Sequence, residues 1–310
     1  MIRASVRLAA AALRERPEII HANNVHAAAI SLPAALIGPS KLVWHARDPS
    51  PGALLSGLLG RRSSRVIAVS SWVRRQLCSH GVAPWKISVI HNGVEPGAAV
   101  GKESAGNEPP ARAVERNGSF VFGHVGQFVP RKGQMLFLSA AARVTGAVPD
   151  ARFLLVGEDI FGRDSDYAER VRRLARGGPV SDRVTLAGWC SDMEPVYAKL
   201  DCLVHTAEEE PFGRVLIEAM RAGVPVIAVD SGGPAEVIRD GLTGLLVPPG
   251  DAGAVSAALS RMANEPGLAE SISERARREV AERFAAAEVA RKVERIYASL
   301  LRPGCGCEEI

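Results

Sequence analysis

Two glutamates that could share one ligand lie on either side of a short turn. Glu210 and Glu218 stand eight positions apart, with a Pro-Phe-Gly sequence between them. An apolar run, 202–205, predicts a strand that enters the turn, and an amphipathic pattern, 214–222, predicts a helix that leaves it. One carboxylate would then lie in the loop, and the other on the helix face that looks back towards the loop.

The first amides of this predicted helix are expected to bind an anion. Gly213, Arg214 and Val215 stand at its N-terminus, where backbone N–H groups have no acceptor within the helix. Such groups, together with the positive end of the helix dipole, favour a phosphate. A carboxylate on each side of a phosphate pocket is suited to a sugar nucleotide, because that ligand carries hydroxyls at both ends and a diphosphate between them.

Short apolar runs alternate with helical patterns along the chain, which predicts an α/β fold with doubly wound parallel sheets. The predicted strands are 18–21, 41–45, 65–69, 87–90, 120–124, 152–156, 184–187, 202–205, 226–229 and 244–247. The predicted helices are a surface helix at the N-terminus, 25–37, 51–59, 71–80, 134–144, 166–176, 214–222, 253–264, 266–284 and 286–300. The stretch 96–118 has no periodicity and is interpreted as a linker.

Several motifs resemble those of one known family. The Glu-x7-Glu pattern continues as Glu-Ala-Met-x-Ala-Gly-x-Pro-Val-Ile, and the chain thereby resembles the retaining glycosyltransferases of family 4. The further motifs, in the family's order, are 66–70 (Val-Ile-Ala-Val-Ser), 87–94 (Ile-Ser-Val-Ile-His-Asn-Gly-Val), 231–236 (Ser-Gly-Gly-Pro-Ala-Glu) and 241–248 (Gly-Leu-Thr-Gly-Leu-Leu-Val-Pro).

The resemblance implies the GT-B architecture, in which two Rossmann-like domains with doubly wound parallel sheets face each other across a cleft. Residues 1–95 would form the acceptor-side domain, and 119–285 the nucleotide-sugar-binding domain, joined by the linker 96–118. Residues 286–310 would form a final helix that returns to the N-terminal domain, and a tail. The N-terminal domain is expected to be truncated, because the family's usual opening strand and Gly-rich loop would precede Met1.

One loop is implied to bind the donor diphosphate. In the family, the loop after the first strand of the second domain reads Gly-Arg-x4-Lys-Gly, with both cations on the diphosphate. Lys132 keeps its place here, whereas Gln127 stands at the Arg position, and the neighbouring Arg131 is a candidate to supply the missing charge. Since charge-assisted hydrogen bonds are roughly twice as strong as neutral ones, Gln127 is expected to bind the diphosphate less tightly than an arginine would.

The resemblance also gives three side chains a role on the two sugars. Glu218 is expected to accept hydrogen bonds from the ribose hydroxyls. Glu210 is expected to contact the transferred sugar, where it would orient hydroxyls and offset oxocarbenium charge. His45 ends a predicted strand, where ligands of parallel sheets bind, and is a second catalytic candidate that would contact the sugar. A purely structural role for His45 is the alternative.

The remaining donor contacts come from the same resemblance. Gly157 and Trp189 are expected to frame the nucleotide base, and packing alone is an equal alternative for Trp189. Phe212 and the amides of 213–215 would complete the site. No Asp-x-Asp stands near a predicted strand end and no His or Cys cluster has ligand spacing, so no metal and no other cofactor are expected beside a UDP- or GDP-sugar donor.

Composition limits the partners. The 310 residues, 47% of them hydrophobic, can form two cores, and no run of about 18 apolar residues predicts a membrane-spanning helix. Residues 1–118 hold 15 Lys and Arg against 7 Asp and Glu, while residues 119–310 hold 23 against 27. The basic half could face an anionic acceptor, an acidic membrane surface or solvent. Nucleic acid is not expected, because aromatic residues are not interleaved with the basic ones.

The resemblance thus implies a hexosyltransferase of polysaccharide or glycolipid biosynthesis. It would move a hexose from a nucleotide diphosphate sugar to a hydroxyl acceptor (a glycan, a lipid-linked molecule or a small molecule) with retention of the anomeric configuration. The alternative is a non-catalytic nucleotide-sugar-binding or scaffold protein, because the N-terminal domain is expected to be truncated and Gln127 replaces a cationic residue of the family. Cys78, Cys190 and Cys202, interpreted as buried thiols, indicate a reducing compartment, so the expected location is the cytoplasm. A peripheral position at the inner membrane face would serve a lipid-linked acceptor.

Overall fold

The structure is a computed structural model that describes residues 2–97 and 118–301. The predicted linker therefore lies outside the described residues except at its two ends. The chain divides into two compact units, one from residues 1–93 together with 286–310 and the other from residues 94–285. In chain order the elements are α1 (Ile2–Glu15), β1 (Ile19–Ala22), α2 (Val25–Ile37), β2 (Lys41–Ala46), α3 (Ala53–Arg62), β3 (Arg65–Ala68), α4 (Ser71–Ser79), β4 (Ile87–Val89), β5 (Val121–Val125), α5 (Gln134–Val144), β6 (Arg152–Val156), α6 (Ser165–Gly177), β7 (Val184–Gly188), α7 (Glu194–Tyr197), β8 (Cys202–His205), α8 (Arg214–Arg221), β9 (Val226–Val229), α9 (Pro234–Val237), β10 (Leu245–Val247), α10 (Ala252–Asn264), α11 (Leu268–Arg283) and α12 (Ala286–Leu301).

The first unit is built on a parallel sheet of four strands in the order β1-β2-β3-β4. Val43, Ile67 and Ile90, from β2, β3 and the residue after β4, form a buried cluster on one face of this sheet. Ile296 of α12 completes the cluster, so the final helix of the chain packs within the first unit. This packing brings side chains that are far apart in sequence next to β1 and β2.

The second unit holds a parallel sheet of six strands in the order β10-β9-β8-β5-β6-β7. The chain lays β5, β6 and β7 side by side and then continues with β8 on the other side of β5. Ligands of open α/β sheets bind outside the carboxyl ends of the strands at such a reversal of strand order. A ligand site is therefore expected at the loops that follow β5 and β8.

Burial explains why these strands were recognisable in the sequence. Every residue of β8 and of β9 is buried, as expected for a parallel sheet that is covered on both faces. Their sequences accordingly read as continuous apolar runs. Phe122, Phe137 and Phe153 lie within the same core, with the rings of Phe122 and Phe153 stacked at 5.9 Å.

The structure confirms the α/β prediction with two parallel sheets, and it departs from the sequence in several details. Two short helices, α7 and α9, were not predicted, because four residues make little more than one turn and show no helical periodicity. Of the three thiols interpreted as buried, Cys202 is buried, whereas Cys78 and Cys190 are partly exposed. Among the described residues, no helix is both long and apolar enough to cross a membrane.

Candidate functional site

The loops that follow β5 and β8 are held together by their backbones. The amide of Glu208 donates to the carbonyl of Arg131 at 2.9 Å, and the Thr206 hydroxyl donates to the carbonyl of Gly133 at 2.8 Å. Gly133 has φ of 74°, and a β-carbon there would lie 2.1 Å from the carbonyl oxygen of Thr206. Only glycine allows this approach, which fixes the two loops side by side at the reversal of strand order.

An ion pair joins the side chains of these two loops. Lys132 Nζ donates to Glu210 Oε2 at 2.5 Å, and Arg131 Nη1 lies 4.0 Å from the same oxygen. The Lys132 and Glu210 side chains are only 16% and 11% exposed, whereas that of Arg131 is 47% exposed. Burial by itself would raise the pKa of Glu210, but the nearby charges of Lys132 and Arg131 outweigh it and hold this pKa below its usual range. Glu210 is therefore a carboxylate at neutral pH.

Two histidines beside this pair were missed by the sequence analysis. His205 is the last residue of β8, and its Nε2 lies 3.7 Å from Glu210 Oε2. His124, in β5, contacts the carbonyl of Lys132 through Nε2 at 2.9 Å. Both are buried, and burial lowers the pKa of His205 to about 3 and that of His124 to about 4, so both are neutral at pH 7. The rule that selected His45, a histidine at the end of a strand, would have selected His205 as well.

Glu218 is held from two directions. Arg214 Nη2, one turn earlier in α8, donates to Glu218 Oε1 at 2.9 Å, and the Tyr197 hydroxyl of α7 donates to Oε2 at 3.1 Å. Burial, followed by the Glu218 charge, raises the pKa of Tyr197 well above its usual range, so Tyr197 remains a donor. The Glu218 side chain is 25% exposed, which leaves its oxygens free to accept further hydrogen bonds.

The turn between the two glutamates is fixed to the loop after β9. The amide of Gly233 donates to the carbonyl of Glu210 at 2.7 Å. Phe212 is buried, and its ring meets that of Phe284 edge-on at 5.7 Å. The predicted donor contact of Phe212 can therefore come only from its backbone, since its ring packs inside the unit. Helix α8 begins at Arg214, so the amides of Arg214 and Val215 belong to its first turn.

The other predicted donor residues lie on neighbouring loops at the same edge of the sheet. The amide of Gly157 donates to the carbonyl of Gly188 at 2.8 Å, which joins the loop after β6 to the end of β7. Gly157 has φ of 136°, and a β-carbon there would lie 2.0 Å from the Gly126 carbonyl oxygen. The backbone carbonyl of Gln127 accepts from Gln134 at 2.8 Å. Trp189, which follows β7, is 60% exposed and is thus not needed for packing.

His45 lies in the first unit, near the end of β2. It is buried, and its Nδ1 lies 3.2 Å from His21 Nε2 and 3.4 Å from Arg47 Nη2. Burial, then the Arg47 charge and then His21, lower the pKa of His45 to about 3. Arg47 Nη1 also donates to Asn92 Oδ1 at 2.5 Å. In the part of the chain that the structure describes, no group of three or more His, Cys, Asp or Glu residues is arranged to hold a metal ion.

Comparison with known protein families agrees with this architecture. The sequence model of the glycosyl transferases group 1 family matches residues 108–279, which is more than half of the chain, and that of glycosyltransferase family 4 matches residues 1–97. The chain belongs to the glycosyl transferases group 1 family. The two matches meet close to the boundary between the two compact units.

Other members of the family and one solved structure resemble this member. The lipopolysaccharide core biosynthesis glycosyltransferase LpsE of Rhizobium meliloti is 33% identical over 62% of this chain and 52% of its own length. A D-inositol 3-phosphate glycosyltransferase of Kribbella flavida is 31% identical over 74% of this chain and 55% of its own. The chain thus spans about half the length of these curated relatives.

The crystal structure of Anabaena Alr3699/HepE in complex with UDP-glucose superimposes with a TM-score of 0.83. The two sequences are 25% identical, and the match covers 95% of this chain and 82% of that one. The two parallel sheets of this group 1 family member are therefore those of a GT-B glycosyltransferase.

Proposed function

We propose that this chain is a retaining hexosyltransferase. It would move a hexose from a UDP- or GDP-sugar, without a metal ion, to a hydroxyl acceptor that is a glycan, a lipid-linked molecule or a small molecule. The observation that carries this proposal is the Lys132–Glu210 pair between the loops after β5 and β8, next to the first turn of α8. A cation, a carboxylate and helix-start amides at one edge of a parallel sheet match the parts of a sugar diphosphate.

The diphosphate is assigned to Lys132 and the first turn of α8. Lys132 supplies a charge that is largely shielded from solvent, and the amides of Gly213, Arg214 and Val215 supply oriented donors. These groups can stabilise the negative charge that grows on the departing nucleoside diphosphate. The complex of Anabaena HepE with UDP-glucose supports UDP-glucose as one donor type.

The two glutamates are assigned different parts of the donor. Glu218, fixed by Arg214 and Tyr197, has the exposure needed to accept from ribose hydroxyls. Glu210 is an ionised, mostly buried carboxylate, and it would face positive charge that develops at the anomeric carbon as the bond to the diphosphate breaks. Gly157 and Trp189 are assigned to the base, with the exposed indole ring available for stacking.

A non-catalytic nucleotide-sugar-binding protein is the second candidate, and one observation favours it. Lys132 is already paired with Glu210, and Gln127 brings no charge of its own to the diphosphate. Such a site would hold a nucleotide sugar without the electrostatic support that transfer needs.

Turnover in two variants distinguishes the candidates. The full chain is incubated with UDP- and GDP-hexoses, and release of UDP or GDP is followed with and without acceptor alcohols. Glu210→Ala should lower kcat by a factor on the order of 100, as loss of a preorganised charge does, while Glu218→Ala should mainly raise KM. Glu208→Ala, an exposed position in the same loop, is the control.

The anomeric proton signal of the product reports whether the configuration is retained. Nucleotide-sugar binding without turnover, unaffected by Glu210→Ala, would reject the transferase and leave the binding protein. The acceptor class and the cytoplasmic or membrane-peripheral location belong to the same proposal. Trials with lipid-linked and with free sugars would show which of these acceptors is used.

A further inference from the structure

A chain of polar side chains in the first unit connects its last helix to His45. The hydroxyl of Tyr297, in α12, contacts His21 Nδ1, and the two rings meet edge-on at 5.8 Å. His21 Nε2 lies 3.2 Å from His45 Nδ1, and Arg47 Nη2 lies 3.4 Å from that same nitrogen. Tyr297 was not among the predicted site residues, because 276 positions separate it from His21 and only the packing of α12 brings the two together.

The direction of these hydrogen bonds follows from one fixed donor. A guanidinium can only donate, so His45 Nδ1 must accept from Arg47. His21 Nε2 faces the same nitrogen and must therefore also donate, which leaves the Nδ1 of a neutral His21 as an acceptor. Tyr297 can then only donate its hydroxyl proton to His21. All bonds of the chain point towards His45 Nδ1.

The other nitrogen of His45 is left as an unused donor. A neutral imidazole that accepts at Nδ1 carries its proton on Nε2. His45 Nε2 is fully buried and has no hydrogen-bond partner within residues 2–97 and 118–301. His45 as a whole is 2% exposed, and a buried N–H without an acceptor is destabilising because it has lost its hydrogen bond to water. A ligand oxygen would remove this cost.

We propose that Tyr297 and His21 are positioning residues which, together with Arg47, hold His45 as a hydrogen-bond donor through Nε2 to an oxygen of bound substrate. His45 does not serve as a general base, because a base needs a free lone pair, and its one lone pair, on Nδ1, already accepts from His21 and Arg47. That the ligand is a sugar rests on the transferase proposal, whereas the tautomer of His45 does not.

Nuclear magnetic resonance of the full chain without ligand tests the tautomer. In histidine labelled with nitrogen-15, two-bond proton–nitrogen spectra show which ring nitrogen carries the proton, and the seven histidines are distinguished by single His→Gln variants. At pH 7 both His45 and His21 are expected with the proton on Nε2. A proton on Nδ1 of His45, or a protonated His45 ring, would overturn the proposal.

Variants test the chain of hydrogen bonds from Tyr297 through His21 to His45. Tyr297→Phe removes the donor to His21 Nδ1, so the nitrogen signals of His21 and of His45 should shift. Tyr167→Phe is the matched control in the second unit, where the same hydroxyl is lost from a contact with Gln134, and it should leave both signals unchanged. His45 signals that stay the same in Tyr297→Phe would reject the positioning role of Tyr297.

Two replacements of His21 provide a second, independent comparison. His21→Gln keeps an N–H close to the position of Nε2 and should preserve the His45 nitrogen signals, whereas His21→Leu removes one of the two donors to His45 Nδ1 and should shift them, with the proton still on Nε2 because Arg47 remains. Equal His45 spectra for these two variants would contradict the positioning role of His21, even if Tyr297→Phe does not fold. If the tautomers are as expected but the chain binds no sugar nucleotide, the transferase proposal is rejected and the assignment of the His45 tautomer stands.

Discussion

Replacing Glu210 by Gln is predicted to tighten the binding of UDP or GDP while it lowers turnover. In the free protein, Lys132 Nζ bonds to Glu210 Oε2 at 2.5 Å, and both side chains are mostly buried. The charge that a diphosphate needs is thus neutralised in part by the carboxylate beside it. The amide of the introduced glutamine would accept from Lys132 as a neutral group and would leave the ammonium charge available.

The size of the effect follows from the type of hydrogen bond. A hydrogen bond to a charged group contributes about 1.5–3 kcal/mol and a neutral one about 0.5–1.5 kcal/mol. Exchanging one for the other therefore changes the free energy of nucleotide binding by about 1–2 kcal/mol. This corresponds to a decrease in Kd of roughly 5- to 30-fold. The 16% and 11% exposure of Lys132 and Glu210 means that added salt should reduce the effect only slightly.

Calorimetric titration of the full chain with UDP and GDP, at low and at high salt, measures this effect. Glu208→Gln is the control, because it removes the same charge from an exposed position of the same loop. Its effect on Kd should be small and should disappear in high salt. An unchanged or higher Kd for Glu210→Gln would show that Lys132 does not bind the diphosphate, and it would refute the assignment of this lysine.

Three other outcomes are expected. Gln127→Arg should tighten UDP or GDP by about 1–2 kcal/mol in the same titration, and an unchanged Kd would mean that Arg131 already supplies the charge. Binding should persist in EDTA, and its loss would reject metal-independent binding. In the unfolded state, the His205 side chain takes up a proton below about pH 6.5. In the folded state this buried histidine has a pKa of about 3 and stays neutral. Stability should therefore fall as the pH falls, by about 2 kcal/mol from this residue between about pH 7 and 5, seen as smaller protection factors of β8 amides, which compare their exchange with that of unfolded amides at the same pH. His205→Gln should flatten this dependence, and an equal slope in the variant would contradict it.

The α/β fold could be predicted because its determinants are local. Strands such as β8 and β9, buried on both faces, must be apolar along their whole length, and the helices between them carry a clear 3.6-residue period. Helices α7 and α9 escaped prediction because a single turn carries no period. Helix α7 matters to the candidate site, since its Tyr197 fixes Glu218.

The chemistry-bearing residue types were also determined by the sequence. The spacing of Glu210 and Glu218 around the Pro-Phe-Gly turn, and the position of Lys132 after a strand, follow from the order of residues alone. Sequence could not reveal that Lys132 and Glu210, 78 positions apart, form an ion pair. That contact depends on the strand order, which places β8 beside β5, and strand order is set by the packing of the whole unit.

Tertiary structure alone decided the state of the histidines. The pKa of a histidine is governed by its burial and by the charges around it, and neither is written in the neighbouring sequence. His205 and His124 are neutral because the sheet buries them. Likewise, the positioning role inferred for Tyr297 requires that α12 packs within the first unit and brings this tyrosine to His21.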